Sequence, residues 1–211
     1  MTPAPDRDRA GIDQHQVNGI RLLTHELLGL AVLVAASTRL LRVSALAAVN
    51  TFGWRPRGVL LPVALRLFGS AMMRETDTWT GFLANASSTR AGVGRHMNRA
   101  TKLAWRAGLA DHSARRAMHR MFTDAARNHT IHTAAETALH EFAQRPLLTI
   151  FGQFGDYFGF QRQWRRRHPG VLQVTVRRGL HFPMCDNPAL VANQLHHWHH
   201  DSRTPMGETA S

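Results

Sequence analysis

Residues 147–182, LLTIFGQFGDYFGFQRQWRRRHPGVLQVTVRRGLHF, contain the pattern that decides the fold. LLTIFG (147–152) is apolar and rich in β-forming residues, and LQVTVR (172–177) alternates between apolar and polar residues. Both patterns are typical of β-strands. Between them, residues 157–170 predict a helix that ends at Pro169 and Gly170. The stretch therefore predicts two strands joined by a helix.

The same order occurs near the N-terminus. IRLLT (20–24) and VSALAAVN (43–50) are strand candidates, and the apolar residues 26–41 between them are long enough for a buried helix. A strand, a buried helix and a second strand form a βαβ unit with parallel strands. Because a parallel sheet is covered on both faces, its strands need not alternate in polarity. The sequence predicts an α/β fold.

Only helical patterns occur between the two predicted pairs of strands. After the Gly- and Pro-containing TFGWRPRG (51–58), the chain predicts five helices before Pro146, among them VLLPVALRLFGSAMM (59–73) and DTWTGFLANAS (77–87). We therefore divide the chain into an N-terminal tail, a first core part, a helical insert, a second core part and a flexible C-terminal tail. Their ranges are 1–18, 19–54, 55–144, 145–201 and 202–211.

The composition limits the classes of function. The formal net charge is +12, but Lys102 is the only lysine and the arginines are spread along the chain, so a role in binding nucleic acid is disfavoured. Cys185 is the only cysteine, which excludes an intramolecular disulfide and fits a reducing compartment. The N-terminus lacks the apolar segment of a signal peptide, and no apolar run reaches the roughly 20 residues that span a membrane. We expect a cytoplasmic protein without a membrane partner.

The ends of the two C-terminal strands carry a family resemblance. LLTIFG is followed by Asp156, and the next strand is followed by GLHFP (179–183) and DNP (186–188). These motifs resemble the acid loop and the histidine loop of the α/β-hydrolase fold, in its haloalkane dehalogenase and epoxide hydrolase branch. RVSALAAVNTFGW (42–54) also resembles the strand that follows the family's nucleophile helix. The resemblance implies that His181 is the catalytic base, that Asp156 orients it, and that residues 55–144 form a cap over the active site.

The resemblance also places a nucleophile in the turn after the first strand. In this family the strand turns sharply into a helix and presents the nucleophile in a strained backbone conformation. The corresponding residue here is Glu26, whereas the family uses Asp and related esterases use Ser. Thr24 and Leu28 stand at positions where the family has glycine, and Leu27 replaces the tryptophan that binds halide in dehalogenases. Glu has one more methylene than Asp, which displaces the carboxylate by about a bond length, and a misplacement of about 1 Å can lower the rate about 10²-fold.

The resemblance covers residues 19–200 but only the second half of the family's core, about four parallel strands, together with its cap. We therefore expect an N-terminally truncated member of the family. In such a half sheet the strand 20–24 lies at an edge, and an uncovered apolar edge favours pairing with another chain. Self-association through this edge is an expectation of the sequence.

The implied reaction is hydrolysis of a small organic substrate, a haloalkane, an epoxide or an ester, through a covalent ester on a carboxylate. Glu26, Asp156 and His181 are the candidate catalytic residues, and Trp54 and Phe182 are the candidate substrate-binding residues. The resemblance implies no cofactor and no metal. The cluster of His196, His197, His199 and His200 lacks acidic or thiol ligands at the spacing of a zinc site.

Other interpretations of the same residues remain open. Asp156 is also placed to cap the helix that follows it, and Glu26 is a favourable residue at a helix start. The missing first strands and Leu28 favour a second interpretation of the whole chain, a catalytically inactive, hydrolase-like binding or interaction protein. A third interpretation is a basic helical protein that binds nucleic acid.

Overall fold

The computed structural model describes residues 19–37, 42–56, 58–90 and 92–201. The predicted tails, 1–18 and 202–211, lie outside the described residues. Four strands form one sheet in the order β1-β2-β3-β4, and every neighbouring pair is parallel. The strands are β1 (Ile20–His25), β2 (Val43–Val49), β3 (Leu147–Gly152) and β4 (Leu172–Val176). The predicted α/β fold with about four parallel strands is confirmed.

Helices connect the strands and fill the segment between β2 and β3. They are α1 (Leu28–Ser37), α2 (Leu60–Phe68), α3 (Ala71–Thr80), α4 (Phe82–Ser87), α5 (Arg99–Ala107), α6 (His112–Arg127), α7 (His129–Glu141), α8 (Phe160–Arg167), α9 (Pro183–Asp186) and α10 (Pro188–Asp201). A short 3-10 turn, Val93–Arg95, lies between α4 and α5. Within the described ranges, no helix is both long enough and apolar enough to cross a membrane.

Two apolar clusters cover the two faces of the sheet. On one face, Leu46 and Ala48 of β2 pack with residues of α1, α7 and α8, including Leu30, Leu139 and Trp164. On the other face, Ala45, Ala47 and Val49 pack with Val191 and Trp198 of α10. Successive β2 residues thus point to opposite faces, and both faces are buried. This explains why β2 is apolar at every position except Ser44, whose hydroxyl donates to the Ile20 carbonyl oxygen of β1.

β1 lies at one edge of the sheet, as expected, and pairs only with β2 among the described strands. The side chain of Leu23 is exposed on this strand. β2 and β3 occupy the centre, so the segments that follow them emerge between neighbouring strands. Self-association through the edge of β1 stays a prediction.

Two of the predicted helices are each divided in the structure. Residues 59–73 form α2 and the start of α3, because Gly69 approaches α6: a Cβ at Gly69 would lie 2.7 Å from the backbone nitrogen of Thr123. The hydroxyl of Thr123 donates to the Gly69 carbonyl oxygen at 2.8 Å, and Ser70 caps α3. The predicted helix 77–87 is interrupted at Gly81, which has a left-handed backbone with φ of 62°. The boundaries predicted for the helices 59–73 and 77–87 were therefore wrong.

A buried polar contact joins four helices of the insert. His119 of α6 lies with Nε2 3.0 Å from Asp77 Oδ2 of α3 and with Nδ1 2.5 Å from the carbonyl oxygen of Phe68 in α2. The other carboxylate oxygen of Asp77 accepts the backbone hydrogen of Leu83 at the start of α4. Both polar side chains are buried. The contact fixes Phe68 and Leu83, which line a cavity described below.

The central strand supplies the first test. Leu46 of β2 is 0% exposed, whereas Leu60 of α2 is 73% exposed. We expect Leu46→Ala to lower the free energy of unfolding by about 2–5 kcal/mol, because the lost methyl groups leave a cavity. Leu60→Ala should change it by less than about 0.5 kcal/mol. Urea unfolding followed by circular dichroism measures both, and equal losses would contradict this placement of the core.

Candidate active site

The turn after β1 has the backbone that the resemblance predicts. Glu26 has φ of 61°, in the left-handed region that few residues other than glycine adopt. The Glu26 carbonyl oxygen accepts the hydroxyl hydrogen of Thr51 at 2.5 Å and the backbone hydrogen of Gly29 at 3.1 Å. A Cβ at Gly29 would lie 2.3 Å from the Thr51 hydroxyl oxygen. Glycine at this position therefore allows α1 to begin directly against the segment after β2.

The turn brings the Glu26 carboxylate to His181. Nε2 of His181 hydrogen-bonds to Oε1 of Glu26. Burial raises the pKa of Glu26 above its ordinary value. Burial also lowers the pKa of His181 to about 4, so its imidazole is neutral at pH 7. Two of the three predicted catalytic residues therefore lie in direct contact.

Asp156 makes different contacts. One carboxylate oxygen accepts the backbone hydrogen of Phe160 at 2.6 Å, and the other accepts that of Gln161 at 3.0 Å. These hydrogen bonds satisfy the first turn of α8. None of the hydrogen bonds described for Asp156 reaches the ring of His181. In this structure Asp156 caps the helix, which is the alternative that its sequence position left open.

Asn50 occupies the other side of the imidazole. Its amide nitrogen Nδ2 donates to the backbone carbonyl of His181 and lies 3.3 Å from His181 Nδ1. Because a carbonyl oxygen can only accept, the NH₂ group of Asn50 must face the loop, and Nδ1 of His181 then accepts its second hydrogen. This places the ring hydrogen of neutral His181 on Nε2, where it is donated to Glu26.

Sequence reasoning did not assign a role to Asn50. It follows β2, has φ of 42°, and donates its backbone hydrogen to the Ile150 carbonyl oxygen at 3.0 Å. A signal was present, because VNTF (49–52), at and after the end of β2, contributed to the resemblance. The residue type alone gave no indication that it would contact the histidine.

The histidine loop is fixed by close packing of backbone on backbone. A Cβ at Gly152 would lie 2.0 Å from the Leu180 carbonyl oxygen, and one at Gly155 would lie 2.2 Å from the same atom. The backbone nitrogen of Phe154 donates to the Gly179 carbonyl oxygen at 2.8 Å. The loops after β3 and β4 therefore run against each other, and this contact sets the position of His181.

The site opens into an apolar cavity of about 340 Å³. Its polar side chains are those of Glu26, Asn50, Tyr157 and His181, and the rest of its wall comes mainly from α2, from the loop after β3 and from Phe122 of α6. This size is within the range of small-molecule sites. Leu27, which follows the nucleophile position, also lines the cavity.

The two predicted substrate-binding residues lie in different surroundings. Trp54 is buried in the core, where Nε1 donates to Gln163 Oε1 at 3.1 Å and the ring packs edge-on against Trp164. It is not among the residues that line the two cavities beside Glu26. Phe182 packs edge-on against the ring of Trp105 and lines a second cavity beside Glu26. Among the described residues, no three His, Cys, Asp or Glu side chains are grouped closely enough to hold a metal ion.

Solved structures of hydrolases share this architecture. Haloalkane dehalogenase DbeA from Bradyrhizobium elkani matches with a TM-score of 0.75 and 16% identity, over 94% of this chain and 72% of that chain. A carboxylesterase of the thaumarchaeon Nitrososphaera gargenis matches at 0.70 and 14%, over 94% and 71%. An esterase from Thermogutta terrifontis matches at 0.58 and 20%, over 93% and 71%.

Neither protein-family models nor curated proteins give a sequence match to this chain. The structural likeness nevertheless shows the fold. The chain has the α/β-hydrolase fold, as the loop motifs predicted, and its structural neighbours include haloalkane dehalogenases and esterases.

The packing at Gly152 generates a prediction for the histidine loop. Gly152→Ala places a methyl group against the backbone of Leu180, which cannot rotate away. We expect it to lower the free energy of unfolding by about 1–3 kcal/mol and to displace His181 from Glu26. Gly170→Ala is the matched control, because no atom lies within 4 Å of a Cβ there. Chemical denaturation measures the loss, and two equally stable variants would exclude the close approach.

Proposed function

We propose that this chain is a hydrolase-fold enzyme that forms a covalent ester between Glu26 and a small apolar substrate. One observation carries the proposal: Glu26, on a left-handed turn, holds its carboxylate against a neutral histidine at the wall of an apolar cavity. A carboxylate in such surroundings has lost part of its hydration, which favours attack on an electrophilic carbon. The neighbouring folds support a hydrolytic activity in general.

The first bond change is the same for a haloalkane and an epoxide, both of which can alkylate a carboxylate. A carboxylate oxygen of Glu26 forms a bond to the substrate carbon, and the bond from that carbon to its leaving atom breaks. A halide departs with the electron pair, whereas the oxygen of an epoxide stays attached through the neighbouring carbon and takes up a proton. Water must then hydrolyse the new ester to regenerate Glu26.

The residues around Glu26 fit an epoxide better than a haloalkane. Halide departure needs donors such as indole N–H groups, but Leu27 follows Glu26, and the indole nitrogens of Trp54 and Trp105 already donate to Gln163 and Ser87. The opened ring of an epoxide needs a proton instead. The hydroxyl of Tyr157, in the cavity wall, is a group that could supply it.

The second half of the reaction is expected to be slow. Ester hydrolysis needs a base that takes a proton from water, and in related triads this is the unprotonated Nε2 of the histidine. Here Nε2 carries the hydrogen, because Asn50 donates toward Nδ1 and Asp156 is engaged by α8. An alternative tautomer would place two donors face to face. The ester on Glu26 should therefore persist.

This reasoning predicts a trapped adduct. After incubation with styrene oxide, the intact mass of the chain should rise by the full mass of one epoxide, because no atom leaves. Peptide mapping should locate the addition on Glu26, and Glu26→Gln should abolish it, since a neutral amide is a poor nucleophile. Glu141→Gln removes an exposed carboxylate and serves as the control, with an expected adduct equal to that of the native chain.

A second candidate function is favoured by the same hydrogen bonds. If the carboxylate and the histidine only stabilise each other, the chain binds apolar molecules without turning them over. No mass increase with styrene oxide, a bromoalkane or an activated ester would contradict the enzymatic proposal. Binding of such molecules without reaction would then establish the binding protein.

The pH dependence of adduct formation tests the state of Glu26. Only the ionised carboxylate attacks, so the rate should fall as the pH falls through the raised pKa of Glu26. The hydrogen bond from His181 stabilises the charged form and works against this shift. In His181→Phe the midpoint should therefore move to still higher pH. Rates of mass increase across a pH series measure both profiles, and a lower midpoint in His181→Phe would contradict the assigned hydrogen bond.

A further inference from the structure

Glu26 lies between two cavities. The first is the cavity of about 340 Å³ described above, and the second, of about 600 Å³, is the one that Phe182 lines. Both are lined by Glu26, by Leu83 of α4 and by Phe122 of α6. These three side chains thus belong to both cavities, and the Glu26 carboxyl group is the polar group among them.

The first cavity is hydrocarbon away from the reacting groups. α2 contributes Leu61, Ala64 and Phe68 to its wall, and the start of α8 contributes Phe160. Its polar atoms belong to the residues near Glu26 and to Tyr157 at its exposed rim. A substrate group placed under α2 therefore finds no partner for a polar atom, which selects for an alkyl or aryl group.

The second cavity is lined mainly by apolar side chains, and two of its polar side chains, Trp105 and Ser87, are hydrogen-bonded to each other. Trp105 Nε1 donates to Ser87 Oγ at 2.9 Å, and this hydroxyl donates to the Ala84 carbonyl oxygen at 3.1 Å. Burial lowers the pKa of His25, which disfavours its charged form, and Nε2 of this ring has no hydrogen-bond partner among the described residues. The remaining wall includes Ala104, Leu109, Met118, Met121 and Phe182.

We propose that the site takes an elongated substrate whose reacting carbon lies in the middle of the molecule, with one apolar arm in each cavity. A compound with its polar group at one end would bury that group in hydrocarbon or leave one cavity empty. With a central polar group, the molecule's polar atoms lie beside Glu26 and His181 and both arms contact apolar walls. Phe122 and Leu83, which line both cavities, would contact the middle of such a molecule.

This inference deepens the proposed function and rests on the same site, but unreactive ligands test it separately. Dipentyl ether and methyl nonyl ether are isomers that differ only in the position of the oxygen. Titration calorimetry with the native chain should show that dipentyl ether binds about tenfold more tightly, the ratio expected when one polar atom is not buried in hydrocarbon. Equal affinities, or tighter binding of methyl nonyl ether, would overturn the inference.

Two matched variants test the arms one at a time. Ala64→Trp fills the first cavity from α2, and Ala104→Trp fills the second from α5. Each should weaken the binding of dipentyl ether by about tenfold or more, because either blocked cavity displaces one pentyl arm. If only one variant weakens binding, the ligand occupies a single cavity and the inference is wrong.

Thermal unfolding shows whether each variant is folded. If either variant is unfolded, the comparison of the two ethers on the native chain decides the inference.

The adduct experiment with styrene oxide separates the two proposals. A chain that prefers dipentyl ether but forms no adduct would retain the two-armed site and lose the enzymatic function. A chain that forms the adduct without preferring dipentyl ether would retain the function and lose the two-armed substrate.

Discussion

The left-handed backbone at Glu26 is the constraint on which the site depends. An L-residue in this conformation costs of order 1–3 kcal/mol, so surrounding contacts must fix it. Here the Glu26 carbonyl is held by Thr51, which follows β2, and Gly29 leaves the space that Thr51 needs. The pairing of β1 with β2 brings these segments together. Without the turn, the carboxylate would continue along the strand direction and would not face His181.

The parallel arrangement of the strands explains why so few residues make a site. In a parallel sheet the carboxyl ends of all strands lie at one edge, which is where ligands bind in open α/β sheets. Glu26 follows β1, Asn50 follows β2, Asp156 follows β3 and His181 follows β4. The helices between β2 and β3 then line an apolar space over these side chains. The loss of hydration favours the neutral form of each group, so it raises the pKa of Glu26 and lowers the pKa of His181.

The sequence predicted the parts of the fold that depend on local apolar patterns. β3 was located to the residue, since LLTIFG is bounded by Pro146 and by the loop after Gly152. The divisions at Gly69 and Gly81 were missed because they depend on the approach of α6 and on a left-handed backbone, which are tertiary features. Asp156 illustrates a different limit: its position fitted two roles, and only the direction of the carboxylate toward Phe160 and Gln161 distinguishes them.

The contact between Asn50 and His181 opposes base catalysis by the histidine, although the backbone elements that position the site are present. The turn, the histidine loop and the apolar cavity are in place, and these are the parts needed to position a carboxylate against carbon. Base catalysis needs in addition a lone pair on Nε2, which in turn needs an acceptor at Nδ1. A donor stands at Nδ1 instead, and the hydrogen is fixed on the nitrogen that faces Glu26. In the reaction proposed for Glu26, this single amide permits attack on carbon while it opposes hydrolysis of the resulting ester.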